Sequence, residues 1–157
     1  MSSLNDTTTN VVLDHPFTYF TWFAKIQGSV PKDLWKYFDP DQQVELQEPE
    51  TTTVDQVRDG ANSLHDLTAA KKTIFTQLRS IYTQDLAQYQ RMLTQEALLR
   101  ERIINLVTNS KRSLLQAGDS TREWLDHLAE STKPSDSQMQ EMIRSKHRVK
   151  MSIKYLD

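Results

Sequence analysis

A chain of 157 residues with a net charge of -2, 37% hydrophobic and 25% charged residues is long enough for one ordinary domain or two very small helical ones, and apolar enough to fold. Three glycines and five prolines leave little material for the closely spaced tight turns of a sandwich or barrel, which argues against an all-β fold. The absence of cysteine excludes disulfides, thiol catalysis and zinc sites built on thiolates, and the nearly balanced charge does not fit a surface designed throughout to coat nucleic acid.

Residues 1–14 are rich in Ser, Thr and Asn without a sustained period and read as a disordered tail, with folded structure expected from about Pro16 onward. The start has neither the basic segment nor the apolar run of a secretory leader, and no apolar stretch is long enough to span a bilayer, so a cytoplasmic chain without a membrane partner is expected. Asn5-Asp6-Thr7 matches a glycosylation sequon but is taken as accidental in such a tail. Between Phe17 and Phe38 lie eight of the thirteen aromatic residues, a density that demands burial. Tyr19, Trp22, Phe23 and Ile26 follow the i, i+3, i+4, i+7 stripe of a helix that Gly28 can end, and Pro31 can open a second short helix in its first turn.

Asp39-Pro40-Asp41 closes that aromatic unit, and residues 39–53 read as a solvated acidic connector, with Asp39, Asp41, Glu45, Glu48 and Glu50 and no Lys or Arg. A helix can restart at a Thr53 cap before Gly60 interrupts it. From Leu64 to about Asn109 there is neither proline nor glycine, and Phe75, Leu78, Tyr82, Leu86, Tyr89, Leu93, Leu99, Ile103 and Leu106 recur at three- and four-residue steps. This predicts one long helix, or a helical hairpin if it breaks near Thr94-Gln95. Two capping-box spacings follow, Ser120 to Glu123 ahead of Trp124, Leu125 and Leu128, and Ser135 to Gln138 ahead of Met139, Met142 and Ile143, with Pro134 between them. The expectation is an all-α helical bundle with one long helix or helical hairpin and short aromatic helices at its N-terminal side.

Catalytic chemistry has no visible carrier. No G-x-S-x-G is present, and Gly28, Gly60 and Gly118 stand apart from any phosphate-cradling pattern. No catalytic, cofactor-binding or metal-ligating residue is therefore assigned, and no cofactor or small-molecule substrate is expected. Glu123 and His127 have i, i+4 spacing, but without a second pair they read as a solvated couple and not as half of a metal site. The aromatic block around Trp22 and Trp35 could face a partner, though core is the simpler reading. The C-terminal segment is the sharper candidate: Arg144, Lys146, Arg148, Lys150 and Lys154 occur with His147, and no acid lies between Glu141 and Asp157. Basic residues near a helix end can serve only the macrodipole, or they can contact RNA phosphates or an acidic patch, such as 39–50, on a neighbouring copy.

One resemblance spans about residues 17–156. Trp22-x-x-x-Ile26 leads to Val30-Pro31-Lys32-Asp33-Leu34-Trp35-Lys36-Tyr37-Phe38-Asp39-Pro40, then to an acidic connector around Glu48-Pro49. A polar-aromatic helix from Ile81-Tyr82 through Tyr89-Gln90 to Ile103 follows, and then Trp124-Leu125-x-x-Leu128 before Pro134-Ser135. In this order the pieces resemble the N-terminal portion of the capsid-forming Gag protein of copia-type LTR retrotransposons of the fungal kind. Further capsid helices and the Cys-Cys-His-Cys zinc knuckle of many members are not found, so the chain reads either as part of a longer Gag or as a shortened, host-adopted one. The resemblance implies residues 15–157 as a helical capsid domain and a structural, non-enzymatic protein whose partners are itself, as a homo-oligomer, and RNA. It also implies a fold held by Trp22, Trp35, Tyr37, Phe38 and Trp124, with self-association through a face of the long helix. RNA contact is placed on Arg144, Lys146, Arg148, Lys150 and Lys154. The alternative is a helical adaptor that pairs its long helix with a partner helix and takes no nucleic acid.

Overall fold

The computed structural model describes the backbone of residues 11–154 and the side chains of residues 11–150. It is all-α: among the described residues the only strand-like pairing is one parallel bridge between Leu13 and Val107. Among the described residues six α-helices appear in order, α1 (Tyr19–Gly28), α2 (Lys32–Trp35), α3 (Ala69–Asn105), α4 (Asn109–Arg112), α5 (Thr121–Thr132) and α6 (Asp136–Lys154). Single 3-10 turns at Pro16–Thr18, Val54–Gln56 and Leu64–Asp66 complete the set. Of the two options for the long segment the single helix forms: α3 continues through Thr94-Gln95, where a hairpin would have had to break. Contacts divide the chain into two compact units, residues 1–43 with 98–157, and residues 44–97.

The first unit holds the tryptophan core. Trp22, Ile26, Leu34, Phe38, Leu99, Ile103, Leu125 and Leu128 are all essentially inaccessible, as burial of the aromatic block requires. Trp35 and Trp124 are buried as well, while Tyr37 is half-buried. Phe23 stacks on Tyr19 at 5.9 Å and meets Trp35 edge-on at 5.8 Å, an arrangement the ring quadrupole favours, so α1 and α2 are locked through their rings. The chain is ordered earlier than the composition of its first residues suggested. Leu13, inside the expected tail of 1–14, is 0% exposed; its N–H donates to the Leu106 carbonyl at 2.8 Å and its carbonyl accepts from Thr108 at 3.3 Å. One apolar side chain with two backbone bonds outweighs a polar local sequence. Residues 1–10 lie outside the described residues.

Four arginines tie this unit together through acceptors outside their own helices. Arg102 donates to the Ser29 carbonyl at 3.1 Å, and Arg112 to the Ile104 carbonyl at 3.1 Å, satisfying an acceptor at the end of α3. Arg122 donates to the carbonyls of Asp39 at 3.0 Å and Tyr37 at 3.1 Å, pinning the segment after α2 to the start of α5. Arg100 lies 3.8 Å over the Trp124 ring and donates to Thr121 Oγ1 at 3.2 Å and the Asp119 carbonyl at 3.0 Å.

The second unit has a smaller core of Ala61, Leu67 and Phe75, with Val54 and Val57 packed against it. Thr53 and Gln56 form a capping box on the expected restart, but the segment makes one 3-10 turn and no α-helix before Gly60. Gly60 has φ +78°, the left-handed region, and its N–H donates to Asp55 Oδ1 at 2.8 Å. Asp66 accepts from the amides of Asn62 at 2.9 Å and Ser63 at 3.1 Å, and these bonds hold its carboxyl below the usual range. The predicted stripe of α3 is half-buried at Leu78, Tyr82, Leu86 and Tyr89, then shifts by one residue, burying Met92 in place of Leu93. Thr73, Thr76, Thr83 and Thr94 return their hydroxyls to carbonyls four residues back, at 3.2, 3.0, 2.9 and 3.0 Å. Those bonds give the threonine hydroxyls acceptors on their own helix.

Candidate functional site

Both predicted capping boxes are formed, and the second one launches the candidate surface. Ser120 Oγ accepts from the Glu123 amide at 3.1 Å while Glu123 Oε2 accepts from the Ser120 amide at 3.2 Å. Likewise Ser135 Oγ accepts from Gln138 at 3.3 Å and Gln138 Oε1 accepts from Ser135 at 2.9 Å. Pro134 is buried between α5 and α6 and cannot continue a helix, so α6 starts afresh at Asp136.

What α6 displays is unusual for a helix with an apolar stripe. Met139, Met142, Lys146 and Val149 fall at the three- and four-residue spacing of one face, with Ile143 beside them, yet only Met142 is even half-buried. Ile143 is 66% exposed and Val149 60%. At about 100° per residue, Lys150 falls within the stripe between Met139 and Ile143, His147, Arg144 and Arg148 follow round one side of the helix with Ser137 among them, and Glu141, Ser145 and Gln138 return to the stripe on the other side. The structure thus brings Arg144, Lys146, Arg148 and Lys150 onto one solvent-facing helix, where an open groove of about 520 Å³ runs past Ile143, Arg144, Lys146, His147, Arg148 and Lys150. Lys154 closes α6, but its side chain lies outside the described residues. Five basic residues with no intervening acid, in a chain of net charge -2, leave the remainder correspondingly acidic.

The complementary surface was not singled out from the sequence. On α5, Glu123, Asp126 and Glu130 are exposed at i, i+3, i+7 spacing, and the Arg122 clamp on Asp39 and Tyr37 brings exposed Asp41 to the same region. Burial, then Glu130 and Asp41, push the Asp126 carboxyl above its ordinary value, and burial, then Asp41 and Asp126, do the same to the Tyr19 phenol. These groups therefore share one field. Phe20, 42% exposed, meets the Tyr19 ring edge-on at 5.3 Å, which sets an exposed apolar side chain next to the phenol that this field reaches. The capping box on α5 could have revealed Glu123, but the approach of Asp41 depends on a tertiary contact.

His127 turns to Asp119, with Nδ1 3.7 Å from Oδ2, and so does not form the Glu123 couple that spacing suggested. Among the described residues no group of three or more His, Cys, Asp or Glu could hold a metal, and no helix is long and apolar enough to cross a membrane. A second groove of about 460 Å³ is lined by Ala24, Gln27, Gly28, Val30, Lys32 and Trp35, and Lys32 is its only ionisable group. No protein-family model, curated protein or solved structure matches this chain.

Proposed function

We propose that this chain is a structural, non-enzymatic helical protein that associates with copies of itself, as its resemblance to copia-type Gag implies, and that the exposed stripe of α6, in place of the face of the long helix expected from the sequence, is the element through which it makes contact. One observation carries the reading: a helix of 19 residues has its apolar stripe in solvent, with Ile143 and Val149 both more than half exposed. Exposing such a stripe forgoes burial worth about 25 cal/mol per Å², and contiguous exposed apolar surface of this kind marks interaction sites. The basic flank makes RNA a further partner, drawn to Arg144, Lys146, Arg148, Lys150 and Lys154 by phosphate charge. A shortened, host-adopted Gag that retains contact without a full shell accommodates the same features.

Size-exclusion chromatography with light scattering, run across protein concentration and salt, is the direct test. A mass that grows with concentration is expected. A mass fixed at the monomer at every concentration, together with no retention on an RNA matrix, overturns the proposal. The adaptor reading has its own support in α3, where Ile74 and Ile81 are exposed one heptad apart, a spacing that suits a partner helix. It gains if the chain stays monomeric and an unrelated helical protein is bound through those two residues.

A further inference from the structure

If α6 is a contact element, its charge selects what can cover it. Two α6 helices laid against each other would juxtapose Arg144, Lys146 and Lys150 with their own copies, a like-charge arrangement that opposes association. A symmetric α6 pair is therefore disfavoured. A phosphate backbone would satisfy the lysines and arginines but would leave Ile143 and Val149 in water. The occupant has to be acidic and apolar together. In the first unit the exposed acids of α5 and Asp41, with exposed Phe20 against the Tyr19 ring that those acids approach, offer that combination.

We infer that α6 of one copy docks on the acidic-aromatic face of a second copy, formed by Phe20, Asp41, Asp126 and Glu130, giving a head-to-tail contact between unlike surfaces. The inference rests on the self-association reading above and supplies its geometry. Lys146 and Lys150, four residues apart within the α6 stripe, meet Asp126 and Glu130, which have the same four-residue spacing on α5. Ile143 and Val149 cover Phe20. Because each copy keeps one α6 and one acidic face unused at the ends, the contact propagates, closing into a ring or continuing as an open chain according to its rotation. A symmetric dimer would instead stop at two copies.

The test uses two charge-reversed forms of the full chain: K146E with K150E in α6, and D126K with E130K in α5. All four positions are exposed, so helical circular dichroism should stay at the wild-type level. Each form alone is expected to raise the concentration of half-association at least tenfold, while an equimolar mixture regains co-assembly, because the acidic α6 of one form finds the basic face of the other and the reverse pair matches too. Raising salt from about 0.05 to about 0.5 M should weaken wild-type assembly and the rescued mixture alike. Wild-type assembly that neither reversal disturbs overturns the inference and leaves self-association standing. A wild-type chain that is monomeric throughout removes the self-association reading itself. Loss in both forms without rescue in the mixture overturns the pairing. So does an α6 reversal that abolishes only retention on RNA or on anionic phosphatidylserine vesicles, which would assign the helix to that ligand.

Discussion

The Arg100 clamp offers the most quantitative test of how the first unit holds together. Its guanidinium lies 3.8 Å over the Trp124 ring, donates to Thr121 Oγ1 at 3.2 Å and donates to the Asp119 carbonyl at 3.0 Å. Replacing it with methionine keeps much of the stem but removes the charge and both bonds. The ring contact contributes about 0.5–2 kcal/mol, and each hydrogen bond adds about 1 kcal/mol, with a further cost because Thr121, buried at 2% exposure, keeps a hydroxyl with one partner fewer. The sum, discounted for overlap within one network, is about 2–4 kcal/mol. Lysine retains the charge but cannot supply both bonds and the planar contact, so it should recover less than half of the loss. At roughly 2–4 °C per kcal/mol for a chain of this size, the methionine variant should melt about 4–16 °C lower. All three tryptophans, Trp22, Trp35 and Trp124, lie in the first unit, so indole emission during urea unfolding reports on that unit. A methionine variant with the wild-type midpoint and an unchanged slope would refute the clamp.

Three further outcomes are expected. Trp124→Phe should destabilise more than Trp22→Phe in the same urea assay, because Trp124 Nε1 donates to the Gln116 carbonyl at 2.7 Å, whereas buried Trp22 Nε1 has no hydrogen-bond partner among the described residues and its removal relieves a donor penalty of about 1–3 kcal/mol; equal losses would contradict this. Gly60→Ala should cost about 1–2 kcal/mol through its left-handed backbone alone, since a Cβ there meets nothing within 4 Å, and amide exchange around residues 52–67 should accelerate without a shift in tryptophan emission. Asp126→Asn should stabilise the chain near neutral pH yet weaken assembly. The Asp126 pKa is raised in the folded state by burial, Glu130 and Asp41, and is only partly offset by His127 and Arg122. The folded protein therefore holds this proton to higher pH than the unfolded chain, so stability falls as pH rises from about 4 through the raised value. The advantage of the amide should vanish below that window, and a constant advantage at all pH values would overturn the electrostatic reading.

Most local signals survived into the structure, the Thr53 restart and the couple of Glu123 with His127 excepted, whereas tertiary contacts left no trace in the sequence. The α1 stripe, the two capping boxes and the Pro134 boundary depend on neighbours within one turn, and each formed as its spacing required. The division into two units was not legible, because α3 carries an unbroken helical pattern across the boundary between Ala97 and Leu98. The burial of Leu13 was equally hidden, since it depends on Leu106 and Thr108, more than ninety positions away in sequence. Arginines posed the same difficulty: on a helix wheel Arg100, Arg102 and Arg122 look like solvated charges, and only the fold supplies the carbonyls that make them cross-links. For the candidate surface, the basic run of α6 was visible as composition, whereas its exposure and the acidic face on α5 emerged only with the coordinates.

The contrast between α5 and α6 links the two halves of the proposal. Both helices begin with a capping box and both carry an apolar stripe, so sequence alone treats them as equivalent core elements. In α5 the stripe of Trp124, Leu125 and Leu128 is buried and the acids face outward; in α6 the stripe of Met139, Ile143 and Val149 stays in solvent beside the bases. A helix that gained nothing from its apolar side would be more soluble with serine or glutamine there, as Gln138 and Ser145 already provide elsewhere on α6. Retaining Ile143 and Val149 in solvent next to Lys146 and Lys150 is explained when burial comes from a second molecule. The acids that make Asp126 costly in the isolated chain are then what that second molecule binds.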